Sequence, residues 1–219
     1  PTHKPIIMKN ILIITGAATS LLFVSCKNPA KSSTEASVSE AKEISTEAST
    51  GTKWVFADSS TITFTGSKVT GSHEGGFKKF SGHFYVDGTS LAPSGHQLVI
   101  DMASTYSDAE KLTGHLTSPD FFDVATYPTS TFTVTGIEEK SGAKGETHAL
   151  TGNFDFHGVT KSITIPVVVS NSDREITVTA DFFINRFDFN IKYPGKTDDL
   201  IRKEVVIRFN LKATPEPTN

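Results

Sequence analysis

The sequence predicts an all-β fold, a sandwich or barrel of short antiparallel strands with one short helix, and three observations predict it. Apolar residues recur with a period of two over most of the chain, turn residues separate the series at short intervals, and one stretch near residue 110 replaces the alternation with a helix-like start. A period of two sends alternate side chains to opposite faces of a strand, so each series buries one face.

The series run in order Ile62/Phe64, Gly82/Phe84/Val86, Leu98/Ile100/Met102, Phe132/Val134, Leu150/Gly152/Phe154/Phe156, Ile163/Ile165/Val167/Val169, Ile176/Val178/Ala180/Phe182/Ile184 and Val205/Ile207/Phe209/Leu211. They give eight strands, with a further short one around Trp54 and Phe56. Asp87-Gly88, Pro93-Ser94-Gly95, Ser141-Gly142, His157-Gly158, Asn171-Ser172-Asp173 and Pro194-Gly195 supply the turns between them. From Ser107 to Thr117, Asp108 and Glu110 precede Leu112, His115 and Leu116, and acidic residues favour a helix start, so a short helix is expected there. The connection that follows carries Pro119, Phe121, Phe122, Tyr127 and Pro128. Long loops in compact domains are functional or disordered, and this one is too aromatic for disorder.

The chain's beginning reads as an address. Met8 and Lys9 precede two apolar runs, Ile11–Ile14 and Leu21–Val24, split by Gly16–Ala18, too short and broken for a spanning helix of roughly 20 apolar residues. Residues 1–25 are therefore expected to be an export signal, with Pro1–Ile7 as upstream translated sequence. Phe23-Val24-Ser25-Cys26 resembles a lipobox, with Phe23 where Leu is usual, and assigns lipid attachment to Cys26. Cys26 is the sole cysteine, so an internal disulfide is ruled out. Residues 26–52 hold only Val38 and Ile44 as large apolar side chains and are expected to be a flexible tether. The domain is then 53–214, with 215–219 as a tail. A lipidated Cys26 implies a cell-envelope protein, facing the periplasm or held at the outer membrane, and Lys27 after it mildly favours the outer one.

The formal charge is −3, and losing Lys4 and Lys9 with the signal would make it −5, so nothing would neutralise a phosphate backbone and nucleic acid is not expected as a partner. No G-x-S-x-G, H-E-x-x-H, C-x-x-C or phosphate loop is present, and His73 with His83 lacks a third metal ligand, so neither catalysis nor a metal site is expected.

Several segments resemble the YceI family. These are Trp54 with Thr61–Phe64; Gly76-Phe77-Lys78-Lys79-Phe80-Ser81-Gly82; His115–Asp123 followed by Tyr127–Phe132; Leu150–Phe154 with His157–Lys161; and Ile184–Phe189. Together they span Trp54 to Leu211; Asn190 stands where the family usually has Gly, and His73-Glu74 also departs. The resemblance implies an eight-stranded antiparallel lipocalin-like barrel holding an isoprenoid lipid, either a polyprenyl lipid or an isoprenoid quinone, with no other cofactor. A homodimer is compatible with it.

Sixteen phenylalanines suit a tunnel for a chain without hydrogen-bonding groups, though they could equally fill a solid core. The residues expected at the ligand are Phe84, Leu112, His115, Phe121, Phe122, Phe154, Phe156, Phe182, Arg186 and Phe209. Arg186 is either a headgroup contact or half of an ion pair with Asp188, two positions along on the same strand face. His115 is either a contact to a quinone oxygen or phosphate, or a hydrogen-bonded core histidine. Phe121 and Phe122 are either a gate or plain core.

Overall fold

A computed structural model describes residues 28–45, 49 and 51–217. The expected export signal and Cys26 lie outside the described residues. The strands are β1 (Thr34–Glu35), β2 (Ser37–Glu40), β3 (Thr52–Phe56), β4 (Thr61–Lys68), β5 (Ser72–Phe77), β6 (Phe80–Asp87), β7 (Ser90–Leu91), β8 (Gln97–Asp101) and β9 (Thr105–Ser107). After the helix α1 (Glu110–Leu116) come β10 (Thr129–Glu139), β11 (His148–Phe156), β12 (Val159–Asn171), β13 (Ile176–Asn185), β14 (Gly195–Lys196) and β15 (Asp199–Pro215).

They assemble into eight staves that wind up and down in chain order. β3 and β4 lie end to end as the first stave, β5 and β6 as the second, and β8 and β9 as the third; β10, β11, β12, β13 and β15 are the rest. β15 closes the ring by pairing with β13 on one edge and with β3 and β4 on the other. The fold is thus the eight-stranded antiparallel barrel that the resemblance implies, one of the two architectures the alternation allows, with one helix.

The short strand at Trp54 and Phe56 is half of the first stave. The stave breaks at Ala57–Ser60, where the Ser60 hydroxyl takes over the ladder, accepting from the Lys212 amide at 3.0 Å and donating to the Lys212 carbonyl at 3.1 Å. The helix is shorter than the expected Ser107–Thr117. Ser107 stays in β9, and Asp108 accepts from the Glu74 amide at 3.1 Å and meets His73 at 2.8 Å, so its carboxylate serves β5 rather than a first helical turn. The turn His157-Gly158 has positive φ at both residues, 52° and 73°, as a two-residue type I′ hairpin requires.

Two boundaries are corrected. The expected tether is ordered over much of its length: Pro29–Ser32 form a 3-10 turn, β1 pairs in parallel with β13, and β2 pairs antiparallel with β12. Its polar composition misleads because an inserted strand draws its hydrogen bonds from its neighbours and needs only Ala36, in the core, and Val38, packed against it, to be apolar. At the other end Pro215 pairs with Trp54, and Glu216 donates its amide to the Lys53 carbonyl and salt-bridges Lys53 at 3.1 Å, so the frayed tail begins no earlier than residue 217.

His96, 1% exposed between β7 and β8, carries a testable consequence. Its Nδ1 accepts from the Tyr85 amide at 3.0 Å and its Nε2 donates to the Ala92 carbonyl at 2.6 Å, an arrangement open only to the neutral ring. Burial holds its pKa down to about 4, below the ordinary 6.5. The unfolded chain therefore binds this proton first, and the contribution of His96 to stability is complete above about pH 6.5 and lost as the pH falls toward 4. Urea unfolding at pH 7.5 and 4.5 should show a loss of about 3 kcal/mol from this group, and His96→Asn should remove that part of the pH dependence.

Candidate ligand cavity

The inward faces of the staves enclose a cavity of about 150 Å³. Its wall is built from Phe64, Leu98, Ile100, Phe132, Phe154, Phe156, Ile163, Ile165, Phe182, Ile184, Ile207 and Phe209, each on the inward face that its alternation gives it. Rings are packed edge to face or tilted along it: Phe122 lies 6.0 Å from Phe64 and 5.6 Å from Phe156, Phe154 lies 5.1 Å from Phe189, and Phe182 lies 6.2 Å from Phe209. Such packing uses the rings' quadrupoles. Glycine makes room for two of these rings: a Cβ on Gly152 would sit 2.6 Å from the Phe132 ring, and one on Gly75 would sit 2.5 Å from that of Phe64.

Polar groups at the wall are few and committed. Ser130 donates its hydroxyl to the Asp155 carbonyl at 2.7 Å, and that of Thr63 faces the Arg208 carbonyl at 3.5 Å. Among the described residues Arg186, 3% exposed, is the one charged side chain at the wall. Its Nε donates to the Arg202 carbonyl at 3.0 Å, one terminal nitrogen to Ile191 at 2.6 Å and the other to Ile201 at 3.2 Å. Burial lowers its pKa from the usual guanidinium value, but an arginine stays cationic in proteins. Three of its five N–H donors are thereby used.

Seven of the ten expected residues line the cavity: Phe121, Phe122, Phe154, Phe156, Phe182, Arg186 and Phe209. Three do not. Phe84 faces a separate cavity of about 20 Å³ beside His96. Leu112 packs against the core from α1 without reaching the cavity. His115 points outward, bonded to the Asp120 carboxylate at 2.8 Å, with its ring 4.9 Å from both Phe121 and Tyr193. The expected Arg186–Asp188 pair is also corrected. Arg186–Phe189 is a 3-10 turn rather than strand, so residues two apart do not share a face, and Asp188 accepts from Asn185 instead. Asn190 closes that turn at φ 60°, left-handed backbone that Asn tolerates almost as Gly does.

Not expected at the ligand were further members of the alternating series, among them Phe64, Phe132, Ile163 and Ile207, and beyond the series Phe77, Leu116, Ile191 and Ile201. The last two stand in no alternating series, and nothing local marks them. Outside the wall a cleft runs between Phe56–Ile62 and Phe77–Phe80, where the first two staves are not paired, and Ile62 and Phe77 separate it from the cavity.

Comparisons agree with this architecture. Residues 54–213 match the family model described as YceI-like domain. A UPF0312 protein of Pseudomonas putida strain GB-1 is 30% identical over 141 residues, 61% of this chain and 71% of that one. Among solved structures, BcnA of Burkholderia cenocepacia superposes with a TM-score of 0.61 at 28% identity, covering 71% of this chain and 96% of that one. A polyisoprenoid-binding domain of Saccharophagus degradans, implicated in plant cell wall breakdown, gives the same TM-score at 21% identity, covering 76% of this chain and 100% of that domain.

The loop rings are buried, Phe121 at 7% and Phe122 at 9% exposed, and they wall the cavity. Phe122→Ala should therefore cost about 3–5 kcal/mol in urea unfolding, as loss of a buried Phe does. A cost under about 1 kcal/mol would show that the ring is a free-standing flap.

Proposed function

The chain belongs to the YceI-like domain family, and on that footing we propose that its barrel holds one long, isoprenoid-type lipid, a polyprenyl lipid or an isoprenoid quinone, in the cell envelope. The observation that carries this reading is the wall: apolar but for two committed hydroxyls and one guanidinium holding spare donors. A hydrocarbon tail asks nothing else of its surroundings, and a quinone oxygen or phosphate at one end would accept from Arg186. The polyisoprenoid-binding activity of the Saccharophagus domain supports the same reading.

Tail length does not set affinity. At roughly 0.8 kcal/mol per buried CH₂ a long tail taken from water would pass the ceiling of about 18–21 kcal/mol for tight complexes. The tail comes from a bilayer, where it is already out of water. Transfer is then near balance, and the polar end decides specificity. Sequestration or transport between membranes follows from such near balance, and a lipid on Cys26 would keep the barrel beside its source.

The competing reading, a solid-cored structural β protein, draws on the small volume of the cavity. Native mass spectrometry of protein extracted from bacterial membranes separates the two. Isoprenoid lipid should copurify with the wild type and be lost from Phe182→Asp, which buries a charge in the wall. Val205→Trp, which fills the cavity without a charge, should lose it too. Full lipid occupancy in either folded variant would reject the reading. In cell fractionation, Cys26→Ser should move the protein from membrane to soluble fractions, and unchanged membrane association would reject the anchor.

A further inference from the structure

β12 and β13 are thirteen and ten residues long, yet they pair with each other over only four positions, Val168–Asn171 against Ile176–Thr179. Their other ladders are far longer, nine pairs between β11 and β12 and ten between β13 and β15. Beyond Val168 and Thr179 the two staves part, and the segment Thr34–Glu40 fills the seam. β2 pairs with Lys161–Thr164 on one side, β1 pairs with Phe182–Phe183 on the other, and the Ala36 amide donates to the Phe183 carbonyl at 2.9 Å.

The strap's alternation places Val38 beside Ile163, on the inward face, with Ala36 on the same side and Ser37 and Ser39 outward. Beside and behind it stand Ile163, Ile165, Phe182 and Ile184, all walls of the cavity. The strap is held by two short ladders, by a Glu40–Lys161 pair at 2.7 Å with Glu40 90% exposed, and by a latch at each end: the Asn153 side chain accepts from the Lys42 amide at 2.9 Å and donates to its carbonyl at 2.7 Å, and the Ser33 hydroxyl donates to the Asp181 carboxylate.

We infer that the seam between β12 and β13 is the port through which an apolar chain enters the barrel, and that the strap Thr34–Glu40 is its plug. A cavity of about 150 Å³ is the size that takes a benzene-sized molecule, so a longer ligand needs the wall to move. Parting β11 from β12 or β13 from β15 breaks nine or ten pairs, whereas parting the seam between β12 and β13 releases the strap and its six. The strap also lies outside residues 54–213, so the shared domain does not supply it. Thr34 is eight residues from Cys26, at most about 30 Å of extended chain, so a lipid on Cys26 would keep the port within that distance of the bilayer.

The inference rests on the lipid-binding reading, and the test keeps the two apart. Ser39 and Ser162 face each other across an antiparallel ladder, at Cα separations of about 4.5–5.5 Å that suit a disulfide. Among the described residues the Ser162 hydroxyl has no hydrogen-bond partner, so its replacement breaks no bond there. In full-length protein carrying Cys26→Ser, Ser39→Cys with Ser162→Cys would lock the strap. Uptake and release of diphenylhexatriene, a slim apolar rod, and of a fluorescent prenyl alcohol would be timed with the lock oxidised and reduced. Oxidation should slow both probes at least tenfold without changing affinity, reduction should restore them, and Asn153→Ala should speed them several-fold. Exchange at the wild-type rate in the oxidised protein would overturn the port and direct attention to the cleft between the first two staves. Slowed exchange of the hydrocarbon with no binding of the prenyl alcohol would leave the port standing and sink the isoprenoid reading. Binding of neither probe would overturn both.

Discussion

Ring closure by β15 is the constraint on which the rest of the structure depends. Its seventeen residues meet β13 along one edge and β3 and β4 along the other, and neither edge is left open to solvent. An open eight-stranded sheet could flatten or slide to suit its side chains. A closed one cannot, because stave number and stagger fix the width of the interior. Once the ring is shut, the interior must be filled by side chains, by a guest or by both, and the phenylalanines of β10, β11, β13 and β15 are among the side chains that face it.

The same closure accounts for the unusual state of Arg186. A cation inside a barrel is costly unless its donors are met, and here the main-chain carbonyls of Ile191, Ile201 and Arg202 meet three of them. The side chain thus ties the turn after β13 to the start of β15, the corner where the chain re-enters the ring. A carboxylate partner would have neutralised the charge. Carbonyl dipoles solvate it and leave it able to act on something else, so one residue can hold a corner together and mark an end of the cavity.

How much of this was legible depends on whether a residue's role is set by its neighbours in sequence. The staves were, because alternation is local and the inward positions of Phe154, Phe156, Phe182 and Phe209 follow from it. The helix start was not, since Asp108 is drawn to His73 and Glu74 from another stave. Arg186 and Asp188 were placed on one face by strand logic that a 3-10 turn voids. The largest misreading concerned residues 28–45. Composition measures whether a segment can bury a core of its own, and this one lends only Ala36 and Val38 to a core built elsewhere. Nor can a ring's identity say whether it fills space or lines it, and for Phe121 and Phe122 the answer is both.

The order in which the strap and its partners are made has a consequence for assembly. Val38 pairs with Ile163, and Thr34 with Phe182, so a segment near the beginning of the chain waits for strands synthesised well over a hundred residues later. During synthesis it would emerge early and dock late. Until it docks, the parted edges of β12 and β13 carry unpaired amides and carbonyls, the kind of edge that recruits strands from other molecules. An intramolecular strand already attached to the same chain reaches that edge at a far higher effective concentration than a stranger can. A segment made early would then guard the last gap to close, and the strap would act as a built-in chaperone for its own barrel.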